Sequence, residues 1–294
     1  MDTDTLPVVR AGVTTGVNTG TLVADVATLK AAPTVLSPIQ GRIQVDSTTS
    51  ISLQRYQGAL IPINGANVTI PSAGVSLSNT GLTAGTLYYV YAFLSSGTLT
   101  LEAVTTTHAT DTATGVEIKS GDATRTLVGM VYMGAGTPGT FVDSVTARTC
   151  LNWANRVDLD MANAFSTSRT SAGNVSWSEI NSEIELTFLT WASEAVGLFA
   201  TGTSSNATAG QATGTAIAVD TTNTPLAVSG FTNVSGQGSL RGCIALSYVA
   251  RLSEGKHFAT LLALVSGGTA TWVATDSISS DGAAKTRFWG RVRG

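Results

Sequence analysis

Residues 87–101 read LYYVYAFLSSGTLTL and decide the fold class of this chain. Apolar side chains dominate two runs that are separated by a short loop containing Gly97, which is the pattern of a β-hairpin. Alternation along a strand places Tyr89, Tyr91 and Phe93 on one face of the first run. The stretch therefore predicts an antiparallel β-sheet.

The sequence on both sides of this hairpin has the same character. Short runs of β-branched and aromatic residues are separated by Gly, Pro, Asn and Ser clusters along most of the 294 residues, which is typical of antiparallel sandwiches and barrels. The strand pattern lapses between Arg156 and Asn174, and this lapse predicts a linker. We expect a mostly β protein with one β-sandwich domain over residues 36–156, a linker over 157–174 and a second β-sandwich domain over 175–294.

Two segments of the second half are apolar on both strand faces. In residues 243–252 the even positions are apolar, and Cys243, Ala245 and Val249 on the other face are small and apolar as well. Residues 256–265 repeat this character. Two such strands exceed what one sandwich normally buries, so we expect further copies of the chain to cover them.

The clearest helical pattern lies near the beginning of the chain, over residues 21–32. Leu22, Val26 and Leu29 recur at helical spacing, and Pro33 follows them. A stripe this narrow suits a short bundle or a docking helix. We therefore expect an N-terminal anchor over residues 1–35, with Leu22, Val26 and Leu29 as its docking residues.

The composition excludes several classes of protein. Sixteen Lys and Arg residues against 19 Asp and Glu give a formal net charge of -3, which argues against nucleic acid or anionic membrane as a partner. Hydrophobic residues make up 43% of the chain, so it should fold. No apolar run reaches membrane-spanning length and the first residues are acidic, so neither membrane insertion nor a signal peptide is expected.

Residues able to support catalysis are scarce. The only two histidines are His108, predicted to be an exposed loop residue, and His257, predicted to have a structural role in a strand. Cys150 and Cys243 lie too far apart in sequence for a Cys-x-x-Cys motif, and both are interpreted as small buried side chains. We expect no metal, no cofactor and no enzymatic activity.

One pair of carboxylates keeps an enzymatic alternative open. Glu183 and Glu185 would share a strand face at a separation of about 6–7 Å, which suits glycoside hydrolysis, although the polar face of an ordinary strand has the same pattern. Asp158 and Asp160 have equal spacing within the predicted linker. Neither pair is taken as a catalytic site.

Tryptophan is the residue type that points most directly to a ligand. An exposed Trp stacks on sugar rings while flanking polar side chains bind the hydroxyls. We predict Trp272, Trp177 and Trp191 as carbohydrate-binding residues, with core or subunit contact as the alternative for each.

Two groups of segments resemble proteins of tailed bacteriophages. Residues 81–93, 98–102 and 121–129 are similar to modules of phage and prophage virion proteins. Residues 252–261 and 266–272 resemble the late strands of a trimeric jelly-roll knob at a fibre tip. The chain thus resembles a fibre or spike protein of a tailed phage or a related gene-transfer particle.

This resemblance implies a particular organisation and function. The N-terminal region would dock onto other capsid or tail proteins, and a jelly-roll-like C-terminal knob would contact host-surface polysaccharide. The protein would be a homotrimer in the virion, made in the host bacterial cytoplasm. A head-decoration or connector protein without a receptor is one alternative, and a glycan-cleaving tailspike enzyme is another.

Overall fold

The computed structural model describes residues 5–10, 13–18, 35–232, 241–274 and 285–294. Residues 1–37 and 38–294 form two compact units, which are described separately. In the first unit, β1 (Thr5–Arg10) and β2 (Val13–Asn18) pair as an antiparallel hairpin. The predicted helix over residues 21–32, with Leu22, Val26 and Leu29, lies outside the described residues.

The second unit begins with thirteen strands. They are β3 (Gly41–Ser47), β4 (Ser50–Arg55), β5 (Leu60–Ile63), β6 (Ala66–Thr69), β7 (Val75–Ser78), β8 (Leu87–Ser95), β9 (Thr98–Val104), β10 (His108–Thr110), β11 (Glu117–Lys119), β12 (Asp122–Tyr132), β13 (Asp143–Ser144), β14 (Ala147–Arg148) and β15 (Cys150–Asn152).

Nine further strands and one short helix complete the second unit. They are β16 (Asp158–Ala164), β17 (Arg169–Glu179), the 3-10 helix η1 (Ser182–Ile184), β18 (Leu186–Thr190), β19 (Ala195–Asn206), β20 (Ala212–Val219), β21 (Ala227–Thr232), β22 (Arg241–Arg251), β23 (Gly255–Trp272) and β24 (Arg287–Arg293). The prediction of a mostly β protein is confirmed. Within the part of the chain that the structure describes, no helix is long and apolar enough to span a membrane.

The sheet that contains β8 and β12 separates two hydrophobic cores. Strand β8 pairs with β9 on one side and β12 on the other, all antiparallel. Tyr88 and Val90 face a core built with β3, β4 and β5, whereas Tyr89 and Tyr91 face a core built mainly by β16–β24. Because strand side chains alternate, one sheet lines both cores. The predicted sharing of a face by Tyr89 and Tyr91 is confirmed.

The predicted linker over residues 157–174 is wrong. Its residues form β16, which pairs with β24 along seven residues, and the beginning of β17, which pairs with β23. Strand β16 contains Asp158, Asp160 and Asn163, and only Met161 within it is fully buried. Its sequence therefore does not resemble that of a buried strand. Its partner lies far away in sequence, so the local pattern does not show the pairing.

The two apolar strands of the second half have different surroundings. Strand β23 is covered on both faces inside one chain, because Leu261 and Ala263 on one face lie in the core built mainly by β16–β24, and the Trp177 ring packs over Leu262 on the other. The expectation that further copies of the chain cover β23 is therefore wrong. Strand β22 buries Ile244 and Leu246 but leaves Cys243 and Val249 exposed.

Candidate functional site

Four antiparallel strands present one face of a sheet to solvent. Their order is β22, β19, β24 and β16. Val196 and Leu198 of β19, like Phe288 of β24, are fully buried in the second core. Because successive side chains of a strand point to opposite faces, the residues next to these buried positions point outward. We call this outward surface the aromatic face.

An aromatic pair lies at the centre of the aromatic face. The strand register aligns Ser247, Phe199, Trp289 and Ala162 in one row across the four strands. The rings of Phe199 and Trp289 are stacked, with centroids 6.3 Å apart and planes inclined by 22°. Both side chains are partly exposed, so they form a platform that solvent reaches.

Charged residues lie on one side of this platform. In the next row, Arg291 of β24 is aligned with Asp160 of β16, and its Nε donates to Asp160 Oδ1 at 3.0 Å. The Arg291 guanidinium also lies 3.6 Å from Asp158 Oδ2. These contacts hold Arg291 against β16, and Arg293 extends the same strand face.

A groove lies on each side of Trp289. The larger, with a volume of about 630 Å³, is bordered by Thr201, Arg287 and Trp289. The second, of about 460 Å³, is bordered by Phe199, Trp289 and the charged residues around Arg291. An apolar ring flanked by guanidinium, carboxylate and hydroxyl groups suits a sugar, whose ring has an apolar face and a polar rim.

Two of the predicted carbohydrate-binding tryptophans cannot stack on a ligand. Trp272 and Trp191 have no exposed surface. The Trp272 indole N–H donates to Thr215 Oγ1 at 2.8 Å, and that of Trp191 donates to the Asn152 carbonyl oxygen at 2.9 Å. Each polar group is satisfied inside the protein, so both residues belong to the core and the prediction of sugar binding is wrong for them.

Trp177, the third predicted residue, is half-buried. Its ring packs over Ala216, Ala218 and Leu262, and a Cβ at Gly214 would lie 2.8 Å from it. Trp177 thus covers the outer side of β20 and β23 and lies apart from the aromatic face. The predicted docking residues Leu22, Val26 and Leu29 lie outside the described residues.

The prediction from sequence omitted Trp289, although the sequence contains a signal for it. Residues 287–293 read RFWGRVR, so arginines and Trp289 occupy every second position. Long polar side chains that alternate with buried residues mark the solvent face of a strand. A tryptophan within that polar series is an exposed tryptophan, whereas Trp272 ends a strand with mainly apolar and small neighbours.

Glu183 and Glu185 do not face a common site. Glu183 lies in η1, where Ser166 N donates to Oε1 at 3.0 Å and Arg169 also donates to its carboxylate. The hydrogen bonds from Ser166 and Arg169 lower the pKa of Glu183 to about 2. Burial, followed by the adjacent Glu179, raises the pKa of Glu185. The two carboxyl groups therefore have separate partners.

His108 is not the exposed loop residue that its sequence predicts. Its Nδ1 lies 2.5 Å from Glu117 Oε1 and its Nε2 lies 3.0 Å from Glu254 Oε1. The Tyr89 hydroxyl donates to the same Glu254 oxygen at 2.7 Å, and the imidazole packs 5.2 Å from the Trp153 ring. This cluster connects β8, β10 and β11 with the turn between β22 and β23.

The two carboxylates change the ionisation of His108. Hydrogen bonding to Glu254 raises the pKa of His108 above its ordinary 6.5, against the opposing effect of burial, and Glu117 adds to the rise. For Glu254, burial opposes ionisation, but the hydrogen bonds from His108 and Tyr89 prevail and lower its pKa. The cluster is therefore most stable with His108 protonated and Glu254 ionised.

We expect stability to fall above neutral pH because of this cluster. A pKa that is higher in the folded state contributes stability below pH 6.5, and the contribution is lost as the pH rises through the folded-state value. Denaturant unfolding of the wild type between pH 6 and 9 should show this loss, and His108→Gln should flatten it. An unchanged pH dependence in His108→Gln would contradict the assignment.

The other histidine is buried, as its predicted structural role requires. His257 Nδ1 lies 2.6 Å from Asp220 Oδ2, and its Nε2 lies 2.8 Å from the Ser253 carbonyl oxygen. Among the residues with described positions, no group of three or more His, Cys, Asp or Glu residues is arranged to hold a metal ion.

Comparisons with known proteins give weak structural similarities. No family model matches the chain, and no curated protein matches it. The VP2 subviral particle of infectious bursal disease virus is similar at a TM-score of 0.33 and 11% identity, over 93% of this chain and 78% of VP2. Dimeric latent PorU from Porphyromonas gingivalis is similar at a TM-score of 0.31 and 12% identity, over 91% of this chain and 23% of PorU.

An insecticidal protein gives a still lower score. The delta-endotoxin Cry8Ea1 from Bacillus thuringiensis is similar at a TM-score of 0.24 and 7% identity, over 87% of this chain and 52% of the toxin. These scores are too low to establish a shared fold.

Proposed function

We propose that this chain is a virion structural protein that binds host-surface polysaccharide through the aromatic face. In this proposal it forms a short homotrimeric, non-enzymatic spike of a tailed-phage-like particle. Its N-terminal region docks onto the particle, and its C-terminal half is a jelly-roll-like knob. The observation that carries the polysaccharide part is the partly exposed Phe199–Trp289 pair between two grooves.

The geometry of the aromatic face supports a sugar polymer as the ligand. The grooves adjoin on opposite sides of Trp289, so a ring stacked on the indole has neighbouring units extending to either side. Asp160 and Arg291 supply an acceptor and donors within one row of the sheet. Such groups recognise hydroxyls and fix their orientation, while the aromatic ring supplies apolar contact.

The edge of the same sheet supports assembly of several copies. Among the described strands, β22 forms ladder hydrogen bonds only with β19, and Phe231 of β21 contacts β22 at Gly242. A strand edge without ladder partners is a template for another strand, and the exposed Ala245 and Val249 add apolar surface to the adjoining sheet face. We expect light scattering on the full chain to give a trimer, and a stable monomer would contradict the spike.

We expect Trp289→Ala to lower polysaccharide affinity by about tenfold or more, because the stacking surface is lost. The full chain is tested on an array of bacterial surface polysaccharides, and the variant's unfolding curve is recorded beside it. Because Trp289 is partly exposed, the Trp289→Ala variant should still fold.

Trp177→Ala is the matched control, because it removes a half-buried tryptophan elsewhere in the sheets. It should keep the affinity of the wild type. Loss of binding in Trp177→Ala alone would move the site to Trp177. If the wild type binds no bacterial polysaccharide, the proposal fails in favour of a decoration or connector protein.

A further inference from the structure

The charges on the aromatic face are not those of the chain as a whole. The chain has a net charge of -3 with only 16 basic residues. Four of these, Arg251, Arg287, Arg291 and Arg293, project from the aromatic face, and the strand register aligns only two carboxylates with them, Asp158 and Asp160. A positive surface in an acidic protein attracts an anionic ligand.

Two arginines of the face, Arg291 and Arg293, lie close to carboxylates. Arg291 is bound by the two aspartates. Glu194 borders the smaller groove, but its closest cation is Arg156 at 2.7 Å, with Arg293 at 3.9 Å. Arg251 is exposed and has no ion pair within the residues that the structure describes.

The spacing of the arginines matches a charged sugar unit. Arg287 and Arg291 are two positions before and after Trp289 on one strand face, about 6–7 Å from it along the strand. A ring stacked on Trp289 thus has its substituents within reach of a guanidinium on either side. The planar guanidinium binds a carboxylate through two parallel hydrogen bonds.

We infer that the polysaccharide bound by the aromatic face is acidic, with carboxylate groups on its sugar units. This inference rests on the proposed function and adds the chemical class of the ligand. The carboxylates contact Arg287 beside the larger groove, whose described lining residues include no carboxylate, while the sugar rings stack on Trp289.

The test compares acidic polymers with the same polymers after their charge is removed. The full chain is titrated with polygalacturonate, alginate and hyaluronate, each beside its methyl ester. We expect at least one acid to bind about tenfold more tightly than its ester and to lose this advantage at high salt. Arg287→Gln should reduce the advantage, and Arg125→Gln, which removes an arginine outside the aromatic face, should keep it.

The possible results separate the inference from the proposed function. Equal binding of acids and esters, abolished by Trp289→Ala, would overturn the acidic ligand and leave polysaccharide binding intact. Binding to array polysaccharides but to none of the three acids would likewise overturn it, as would preference for a phosphate-bearing teichoic acid. Absence of binding to any polysaccharide would overturn the proposed function itself.

Discussion

Replacing Trp272 by alanine should lower the free energy of unfolding by about 3–5 kcal/mol. The side chain is fully buried in the second core, at the end of β23 where β17 and β19 flank it. The substitution leaves a cavity and deprives Thr215 Oγ1 of its indole donor. Urea or guanidinium unfolding of the purified variant measures the effect.

Trp272→Phe separates the two contributions to this loss. Phenylalanine retains most of the volume but has no N–H, so we expect a smaller loss than in Trp272→Ala, with about 1 kcal/mol arising from the hydrogen bond. If Trp272→Ala kept wild-type stability and lost only polysaccharide binding, Trp272 would be a ligand residue after all, and its burial would be refuted.

Trp191→Ala should also lower the free energy of unfolding by about 3–5 kcal/mol, because a different set of contacts is lost. The ring meets Trp153 edge to face at 4.9 Å between centroids, and the Arg156 guanidinium lies 5.3 Å from its centroid. Its indole N–H binds the Asn152 carbonyl oxygen. Removal of the ring therefore leaves a cavity beside His108 and deprives the Asn152 carbonyl oxygen of its indole donor.

Val175→Ala is the comparison for Trp191→Ala, because Val175 is 75% exposed. Its unfolding free energy should stay within about 0.5 kcal/mol of the wild type. Equal effects of the two substitutions would contradict the placement of Trp191 in the core.

The sequence predicts local strand structure better than it predicts which strands meet. The alternation around Tyr89 and Tyr91 is local, and the structure confirms it. The role of residues 158–164 depends on pairing with residues 287–293, more than 120 positions away. Because β-strand pairing is non-local, the polar sequence of β16 gives no indication of its partner, and it was predicted as a linker.

The same reason explains the errors at the candidate site. Trp272, Trp191 and Trp289 all follow the strand pattern, and only the position of each sheet face relative to the cores distinguishes buried from exposed. The arginines around Trp289 carry that information in RFWGRVR. For His108 no local signal exists, since Glu254 reaches it from a turn 146 residues later in the chain.

The sheet of β8 and β12 affects how the protein resists proteolysis. If the strands that form either core separated from this sheet, one face of the sheet would be exposed to water. That face contains Val90 on one side of the sheet or Tyr91 on the other, and both side chains are fully buried in the folded chain. Exposure of that much apolar surface disfavours a partly open intermediate. Cleavage within these strands should therefore require global unfolding, and its rate should follow the global unfolding equilibrium.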